Sequence, residues 1–360
     1  MLLKTLHRLP LVLLSCCLLA LSACSRQAPV AAEAFVFGTR VELLTWGADE
    51  AVADAAMGEV LREYDRLHNA FHAWRPSEVT ELNAAIAAGR PHKVSPELAA
   101  LLDVASDMAA AGDYLFDPGI GLLVKLWGFH GDEFVAALPP TQELQRLRLA
   151  HPSIADLHIV DGVVSSDNPL TQLDFGGYLK GVALDRAAVI LRSHGVNNAL
   201  VNIGGNVLAL GARGEQPWRV GIRHPRAEEA GGAPLATLEL HDGEAIGASG
   251  DYQRYFELNA RRYCHIIDPR SAEPAFATQS LTVLVAAGKD AGMRSDVWSK
   301  PLFIAGDQWP SLARQLGAGS VLRVDAGGRI SASASMRERL TFTAGDDIDI
   351  TVIDLAERQR

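Results

Sequence analysis

In residues 173–185 the sequence LDFGGYLKGVALD places a pair of glycines directly before a helical pattern that continues to Ser193. If the helix begins at Gly176-Gly177, its first free N–H groups can contact an anion, and Lys180 lies one turn into the helix. The alternative is that the two glycines only form a tight turn. The segment also divides the chain, because helical patterns prevail before it and strand patterns prevail after it.

Helices are predicted on the N-terminal side of this segment by the spacing of apolar residues and by capping residues, over about 49–71, from Pro96 to Gly112 and from Thr141 to Leu149. Between the third of these helices and the glycine pair, LHIVDGVVSS (157–166) has Asp-Gly between two apolar runs. That arrangement is typical of a β-hairpin.

Strand patterns prevail from about residue 199 to the end of the chain. They are interrupted by a last helix, predicted over about 290–305, which Pro301 is expected to kink or end. Strands that follow strands, with helices inserted in blocks, predict an α+β fold rather than a doubly wound sheet. We expect one domain over residues 35–356, built either as a single unit or as two lobes.

Four glycine-rich clusters are dispersed along the chain, at 116–121, 173–181, 202–206 and 248–252. Glycine permits close backbone approach and unusual dihedral angles. None of the clusters is a Walker loop, which needs Gly-Lys-Ser/Thr, and none is a dinucleotide-binding GxGxxG. Each cluster alone is more simply explained by tight turns and bulges than by a ligand site.

The N-terminus is typical of a secretory signal, because Lys4 and Arg8 precede a short apolar run from Leu9 to Leu21. This run is shorter than the roughly 20 residues of a membrane-spanning helix. Leu-Ser-Ala-Cys (21–24) resembles a bacterial lipobox, so residues 1–23 are predicted to be cleaved and Cys24 to be lipidated. Residues 24–34 then form a spacer. The alternative is an ordinary cleaved signal followed by a coincidental cysteine.

These features predict an exported protein held by lipid on the periplasmic side of a bacterial membrane, with the inner and outer membranes both open. The formal net charge is −10 and no basic stripe is present, which argues against a nucleic-acid partner. Cysteines occur only at positions 16, 17, 24 and 264. Beyond the signal and the lipobox this leaves Cys264 alone, so neither a disulfide framework nor a thiolate metal site is expected.

Taken in order, nine segments resemble the FAD:protein FMN transferases (ApbE family), from about Phe37 to Gly306. They are FGTRVEL (37–43), SEVTELN (77–83), FDPGIGLLVKLWGF (116–129), LDFGGYLKGVALD (173–185), VNIGGNV (201–207), WRVGI (218–222), SGDYQRYFE (249–257), HIIDPRSAEP (265–274) and SDVWSKPLFIAG (295–306). The resemblance implies an ApbE-like, T-fold-related architecture with largely antiparallel sheets and flanking helices. It also implies an enzyme that moves the FMN half of FAD onto a Thr or Ser hydroxyl of a partner protein and releases AMP.

The resemblance further implies site residues, each at its matching position here. The flavin nucleotide would contact Phe37, Trp74, Phe116, Asp117, Pro118, Asp174, Lys180 and Ile267. His265, or else Asp251, would accept the proton of the incoming hydroxyl. Mg²⁺ would be held by the Gly177 carbonyl and by Asp296. Without the resemblance, Asp296 is more simply a solvent-facing helix carboxylate and His265 a core histidine.

The chain departs from the family pattern most clearly at Lys300, where the family usually has a Thr that completes the metal site. An ammonium group cannot bind a cation. Either Ser299 takes over as the metal ligand, or Lys300 puts a fixed positive charge against the FAD diphosphate. Smaller departures are Pro301 in place of Ala, Ala248 in place of Thr, Ala272 in place of Gly and Gly119 in place of Thr.

Three functions are consistent with these residues. The first is transfer of FMN to an acceptor protein. The second is an FAD pyrophosphatase, in which water replaces the acceptor and the products are FMN and AMP. The third is a flavin-binding lipoprotein without turnover, its activity lost through the changes at Lys300 and Ala248.

Overall fold

The fold is described here from a computed structural model, which covers residues 28–131, 133–226, 232–343 and 348–356. Within them the α-helices are α1 (Glu50–Ala70), α2 (Glu78–Ala87), α3 (Pro96–Ala111), α4 (Gly121–Leu126), α5 (Thr141–Ala150), α6 (Leu179–Ser193), α7 (Ala291–Ile304), α8 (Trp309–Leu316) and α9 (Ala334–Arg339). Short 3-10 turns lie at Ile154–Asp156 and Gly306–Gln308. The three helices predicted before the glycine pair are confirmed as α1, α3 and α5.

The strands of the described residues follow in chain order. They are β1 (Val30–Val36), β2 (Thr39–Thr45), β3 (His92–Lys93), β4 (Leu157–Val160), β5 (Val163–Ser166), β6 (Ala199–Ile203), β7 (Asn206–Leu210), β8 (Trp218–Ile222), β9 (Ala236–Leu240), β10 (Ala245–Gly250), β11 (Tyr255–Leu258), β12 (Arg261–Cys264), β13 (Ile267–Asp268), β14 (Glu273–Pro274), β15 (Thr278–Val285), β16 (Ser320–Asp325), β17 (Ile330–Ser333), β18 (Leu340–Phe342) and β19 (Ile350–Ile353).

A nine-stranded sheet organises the fold, in the order β1-β2-β6-β7-β10-β15-β16-β17-β19. Every neighbouring pair in it is antiparallel except β17 and β19. Two three-stranded sheets and two hairpins accompany it. The predicted α+β class with largely antiparallel sheets is confirmed. The predicted hairpin at 157–166 is confirmed as β4 and β5, with Asp161 and Gly162 both at positive φ.

One boundary predicted from the sequence is wrong. Strand β1 begins at Val30, inside the segment expected to be a spacer, and pairs along its length with β2. The small residues there gave no strand signal because ladder hydrogen bonds come from the backbone and do not require bulky side chains. The folded part therefore starts before residue 35.

Helix α7 runs through the middle of the fold. It packs against α6, β10 and β15, and only Arg294 and Lys300 among its residues are not buried. The helix predicted over about 290–305 is confirmed as α7, and of the two effects expected of Pro301 it does not end the helix, since α7 continues to Ile304. Burial on all sides stabilises the helix enough to accommodate a proline that donates no hydrogen bond. Nor is α7 the last helix, because α8 and α9 follow it.

Helices α6 and α7 approach each other at two glycines. A Cβ atom on Gly181 would lie 2.6 Å from the Cα of Met293, and one on Gly292 would lie 2.7 Å from the Cβ of Leu184. Asp185 of α6 accepts hydrogen bonds from the first N–H groups of α7, at Gly292 (2.8 Å) and Met293 (2.9 Å). This contact fixes α7 beside the start of α6, which is where the candidate site lies.

The apolar residues form one large cluster around α1, α3, α6 and α7 and a second beneath β8, β9 and β18. A third cluster surrounds Trp127, whose indole N–H donates to the Ala272 carbonyl at 2.8 Å. Trp127 and Trp298 are buried, as expected of core residues. Among the described residues, none of the helices combines the length and hydropathy needed to cross a bilayer.

Candidate active site

A cavity of about 410 Å³ opens between the tip of the β1–β2 hairpin, the start of α6 and the end of β10. It collects residues that are far apart in the sequence. The predicted site residues that line it are Phe37, Trp74, Phe116, Asp117, Pro118, Asp174, Gly177, Lys180, His265, Ile267 and Lys300. A cavity of this size that is lined by rings and a few polar groups is typical of a small-molecule site.

Phe37 forms the tip of the β1–β2 hairpin together with Gly38. Its φ is 57°, a left-handed conformation that is uncommon for an aromatic residue. The ring packs against Tyr64, with centroids 5.8 Å apart, and edge-on against His68 at 5.7 Å. The turn therefore holds an aromatic ring at the cavity wall at some conformational cost, as is common at functional sites.

Trp74 supplies a second ring, from the loop after α1. It lies 5.4 Å from the ring of His130. Its side chain also hydrogen-bonds to Asp174 and so acts to lower the pKa of that carboxyl, although burial is the larger effect and raises it. The ring is thereby held next to the glycine segment that begins α6.

The 116–118 turn is fixed by the Asp117 carboxylate. Asp117 accepts hydrogen bonds from the N–H groups of Gly119 (2.7 Å) and Ile154 (2.8 Å) and from the Ser153 hydroxyl (2.5 Å). Burial raises the pKa of Asp117 to about 6 despite these bonds. Although Asp117 lines the cavity, its described contacts shape the turn rather than face a ligand.

Two departures from the family pattern have a local explanation, one at this turn and one in the turn between β13 and β14. Gly119 packs so closely on Ser153 that a Cβ atom would lie 2.3 Å from the Ser153 carbonyl carbon. A threonine would not fit there in this chain. Ala272 has φ 61°, a conformation that glycine adopts without strain, which accounts for the family's glycine at this position.

The glycine segment joins the turn through its backbone, since the Asp174 N–H donates to the Pro118 carbonyl at 2.8 Å. Asp174 in turn accepts from the Gly176 N–H at 2.8 Å. Helix α6 begins at Leu179, later than the predicted start at Gly176-Gly177. The delay arises because the two glycines form the connecting turn. Lys180 still lies in the first helical turn and lines the cavity.

The start of α6 contacts a carboxylate of the protein itself, that of Asp296. The Gly181 N–H donates to Oδ2 of Asp296 at 2.9 Å, and Asn206 Nδ2 donates to Oδ1 at 2.8 Å. Asp296 is fully buried and does not line the cavity. A carboxylate at a helix N-terminus is stabilised by the helix dipole. The glycine pair and the carboxylate at 296 are thus brought together, across the α6–α7 contact.

Lys300 lies one turn after Asp296 and is paired with it. Its ammonium donates to the Asp296 carbonyl oxygen at 2.6 Å and also to carboxylate Oδ1. A Cβ atom on Gly177 would lie 3.2 Å from Cε of Lys300, so the lysine stem runs directly beside the glycine turn. Burial lowers the pKa of Lys300, whereas the Asp296 carboxylate acts in the opposite direction and favours the ammonium form.

These residues do not fit a resident Mg²⁺ as the resemblance implied. Both oxygens of Asp296 are hydrogen-bonded, one of them to an ammonium group. Ser299 is fully buried away from the cavity, where its hydroxyl donates to the Asp296 carbonyl at 2.7 Å. Within the ranges that the structure describes, no three His, Cys, Asp or Glu side chains are grouped to hold a metal. Mg²⁺ commonly uses only one or two carboxylates, so Asp296 is the group that decides the fit.

His265 lies at the cavity wall between β12 and β13. Its backbone N–H donates to the Arg254 carbonyl at 3.0 Å, and Nδ1 lies 3.2 Å from the same oxygen. Since a carbonyl only accepts, Nδ1 carries the proton of the neutral ring and Nε2 keeps its lone pair. Burial, with Arg254, Lys180 and Lys300 nearby, lowers the pKa of His265 to about 3. The imidazole is therefore neutral at physiological pH.

Asp251, the alternative base, is not brought to the cavity. Arg226 donates to both of its carboxylate oxygens, at 2.6 and 2.7 Å. Asp251 lines a separate cavity of about 240 Å³, together with Arg226, Arg261 and Arg262. A carboxylate held in a bidentate arginine pair is a poor proton acceptor. The geometry therefore favours His265 of the two candidates.

Arg254 is a further cation at this cavity that was not predicted from the sequence. Its guanidinium donates to the carbonyl oxygens of Phe129 (2.8 Å) and Gly131 (3.1 Å). Its Nε is buried and has no hydrogen-bond partner in the described part of the chain. Its position four residues after the glycine of SGDYQRYFE was the available signal, but arginine in a loop is usually solvated. His68, His72 and His130 also line the cavity without having been predicted.

Comparison with known proteins supports the resemblance. The model of the ApbE family matches residues 37–322. The chain is 42% identical to the FAD:protein FMN transferase of Rhodobacter capsulatus over 331 residues, which cover 91% of this chain and 62% of that relative. It is 34% identical to an FAD:protein FMN transferase of Klebsiella pneumoniae (strain 342), over 75% of this chain and 80% of the relative.

Solved structures agree with these matches. The crystal structure of the ApbE protein of Thermotoga maritima superposes with a TM-score of 0.78 at 28% identity, covering 87% of this chain and 99% of that chain. The flavin transferase ApbE of Vibrio cholerae superposes with a TM-score of 0.73 at 25% identity, over the same shares of the two chains. The family match over most of the chain and the agreement in fold lead to one conclusion: the chain belongs to the ApbE family.

Proposed function

We propose that the chain transfers the FMN half of FAD to a Thr or Ser hydroxyl of an acceptor protein and releases AMP. The observation that carries the proposal is that one cavity combines aromatic rings with Lys180, Arg254 and Lys300, the cations that act on the neutral imidazole of His265. The rings suit a flat heteroaromatic group and the cations suit a diphosphate. The relatives that bear the name FAD:protein FMN transferase support the same reaction.

In the proposed reaction the acceptor oxygen attacks the phosphorus atom of the FMN half. A P–O bond to the acceptor forms while the bond from that phosphorus to the bridging oxygen breaks. The bridging oxygen leaves with AMP. The hydroxyl proton passes to Nε2 of His265, so atoms and charge balance without an oxidant or reductant.

The cations act on the charge of the substrate. Phosphoryl transfer depends mainly on positioning and on stabilising charge that spreads over the phosphate oxygens. Lys180, Arg254 and Lys300 all line the cavity and all act to lower the pKa of His265. A bound diphosphate would neutralise these cations and raise the pKa of His265, which makes it a better base once FAD is in place.

Magnesium stays a prediction from the resemblance. A bound divalent cation would stabilise charge on the phosphate oxygens. The Asp296 oxygens are already hydrogen-bonded and Lys300 stands at the position of the expected threonine, so the proposed step uses only side chains of the protein.

The proposal is tested with the full-length chain purified in detergent, incubated with FAD and a Thr-containing acceptor peptide. Transfer predicts a peptide that gains the mass of FMN and one AMP for each adduct. Release of FMN and AMP without an adduct indicates the pyrophosphatase. Intact FAD at binding stoichiometry indicates a flavin-binding lipoprotein and overturns the proposal.

His265→Gln provides the matching test of the base. Loss of a general base is expected to lower the rate by about 100- to 10,000-fold, with FAD affinity changed much less. His158→Gln is the control, since His158 is exposed and lies outside the cavity. Equal rates for the two variants would exclude His265 as the base.

We also propose the location that the N-terminus predicts. Cys24 lies outside the described residues, and lipid on it would hold the folded part close to the periplasmic face of a membrane. Labelled palmitate should enter the wild-type chain but not a Cys24→Ala variant. A wild-type chain that takes up no label contradicts the proposal.

A further inference from the structure

Lys300 fills the space between the two residues predicted to hold a metal. Its stem runs beside Gly177, whose Cβ position lies 3.2 Å from Cε, and its ammonium is paired with Asp296. The lysine also lines the cavity, whereas Asp296 is fully buried behind it. The positive charge between Gly177 and Asp296 is therefore supplied by a residue of the chain itself, Lys300.

The surrounding groups hold the ammonium in place. Asp296 offers Lys300 two acceptors, its carbonyl oxygen and Oδ1, while Asn206 and the Gly181 N–H fix the rest of the carboxylate. An ammonium group has three N–H donors. Two of them are used by Asp296, so one remains for a phosphate oxygen of a ligand in the cavity.

A divalent cation would meet two obstacles here. It would have to displace Lys300 from Asp296, and it would be repelled by the displaced ammonium at short range. Ser299 does not replace the missing threonine, since its buried hydroxyl donates to Asp296 and lies 2.8 Å from the Ser249 hydroxyl. Ala248, where the family usually has threonine, brings no hydroxyl to the cavity wall either.

We infer that Lys300 contacts the FAD diphosphate in place of a divalent metal, so that this chain binds FAD and transfers FMN without bound Mg²⁺. The inference rests on the proposed function and concerns the same bond-breaking step. Lys300 donates a hydrogen bond to a non-bridging phosphate oxygen, and Arg75, Lys180 and Arg254 supply the rest of the positive lining. Phosphoryl transfer needs stabilisation of the negative charge on the phosphate oxygens. An ammonium group supplies the same kind of stabilisation as a metal ion, though with a smaller charge.

The first test uses the unmodified full-length chain. AMP release and the FAD dissociation constant are measured in excess EDTA and in excess Mg²⁺. The expected result is a change of no more than about twofold in either quantity, because no metal takes part in binding. Loss of both FAD binding and AMP release in EDTA, with recovery on adding Mg²⁺, overturns the inference.

The second test restores the family residue with Lys300→Thr. This variant should lose AMP release at least about 100-fold in EDTA and regain it with Mg²⁺, because a hydroxyl can complete a metal site beside Asp296. Lys300→Met, which has neither the charge nor the hydroxyl, should not be rescued by Mg²⁺. Lys125→Thr is the control, an exposed lysine of α4 outside the cavity, and should behave as wild type.

A third readout does not depend on turnover. Mn²⁺ electron paramagnetic resonance of the FAD-loaded protein should show no protein-bound Mn²⁺ for the wild type and about one per chain for Lys300→Thr. Stoichiometric Mn²⁺ on the wild type would overturn the inference. If FAD binds but no condition yields AMP, the proposed function fails, while the EDTA effect on FAD affinity and the Mn²⁺ signal still decide the role of Lys300.

Discussion

Lys300 and Asp296, one helical turn apart on α7, form an ion pair in which the ammonium also donates to the Asp296 carbonyl oxygen at 2.6 Å. The carboxylate is fully buried and the lysine side chain is 16% exposed. The pair stands where the start of α6 and the cavity meet. Asp296 belongs to the buried interior and Lys300 lines the cavity, so changes to either residue should affect both stability and function.

Removing one member of this pair should be costly. Asp296→Ala leaves an ammonium group without its counter-ion, and we expect a loss of about 3 kcal/mol in the free energy of unfolding. The double variant Asp296→Ala/Lys300→Met should lose less than the sum of the two single variants, by at least about 1 kcal/mol. Urea unfolding of the four proteins measures this coupling. Additive effects would show that the pair is not stabilised by mutual contact.

The α6–α7 contact should tolerate no side chain at Gly181. A Cβ atom there would lie 2.6 Å from the Met293 Cα and 2.7 Å from the Asp296 Cβ. Gly181→Ala should therefore destabilise the protein by about 2 kcal/mol or more through overpacking. It should also reduce FAD affinity, because Lys180 and Asp296 shift with the helix. Thermal unfolding and FAD titration measure the two effects.

Gly58→Ala on α1 is the matched control for Gly181. The nearest atom to its Cβ position is the flexible Arg62 guanidinium at 3.4 Å. Alanine in an accessible helix position should raise stability by up to about 1 kcal/mol. Opposite signs for the two glycine-to-alanine changes would show that close helix contact, rather than glycine content, governs the result. The same sign would contradict the packing explanation.

The strained Phe37 should be needed for its ring rather than for its backbone. Asparagine accepts a left-handed conformation, so Phe37→Asn should keep the hairpin and lose only the aromatic surface. We expect FAD affinity to fall about tenfold, in line with the loss of one aromatic contact. Tyr114→Asn is the control, because Tyr114 also has positive φ (56°) but lies outside the cavity. An unchanged affinity for Phe37→Asn would exclude the ring from the binding site.

The low pKa of His265 has a direct consequence for its titration. Burial and nearby cations lower it to about 3, so the ring should stay neutral from pH 8 down to pH 5. Its imidazole NMR signals should not move over that range, with His265→Gln providing the assignment. A titration midpoint near the ordinary histidine value of about 6.5 would contradict the environment described here.

Removing one of the cations near His265 should raise the pKa of its imidazole. Lys180→Met takes away a positive charge that acts on His265, and saturating the cavity with FAD should act in the same direction.

Because the folded protein holds the ring of His265 neutral while the unfolded chain protonates it near pH 6.5, this group lowers stability as the pH falls from about 6.5 toward 3. The stability contributed by the neutral ring is present above that window.

The resemblance of the motifs predicted many of the residues that line the cavity, but not all of them. Asp174, Lys180 and His265 were named from the resemblance of their segments to the family, and all three line the cavity. Arg254 could not be named, since an arginine in a loop is ordinarily solvated and only the fold places it against Phe129 and Gly131. The sequence left both His265 and Asp251 open as the base. The structure separates them, because Arg226 donates hydrogen bonds to both carboxylate oxygens of Asp251.

The sequence alone determined the α+β class, the hairpin at 157–166, helices α1, α3 and α5 and the family to which the chain belongs, because these depend on local periodicity, turn residues and motif order. Tertiary structure decided that β1 starts at Val30, that nearly all of α7 is buried, and that Lys300 pairs with Asp296 beside Gly177. Each of these depends on which distant segment lies alongside. Strand pairing, helix burial and the partner of a buried charge are properties of neighbours in space, which no stretch of sequence specifies alone.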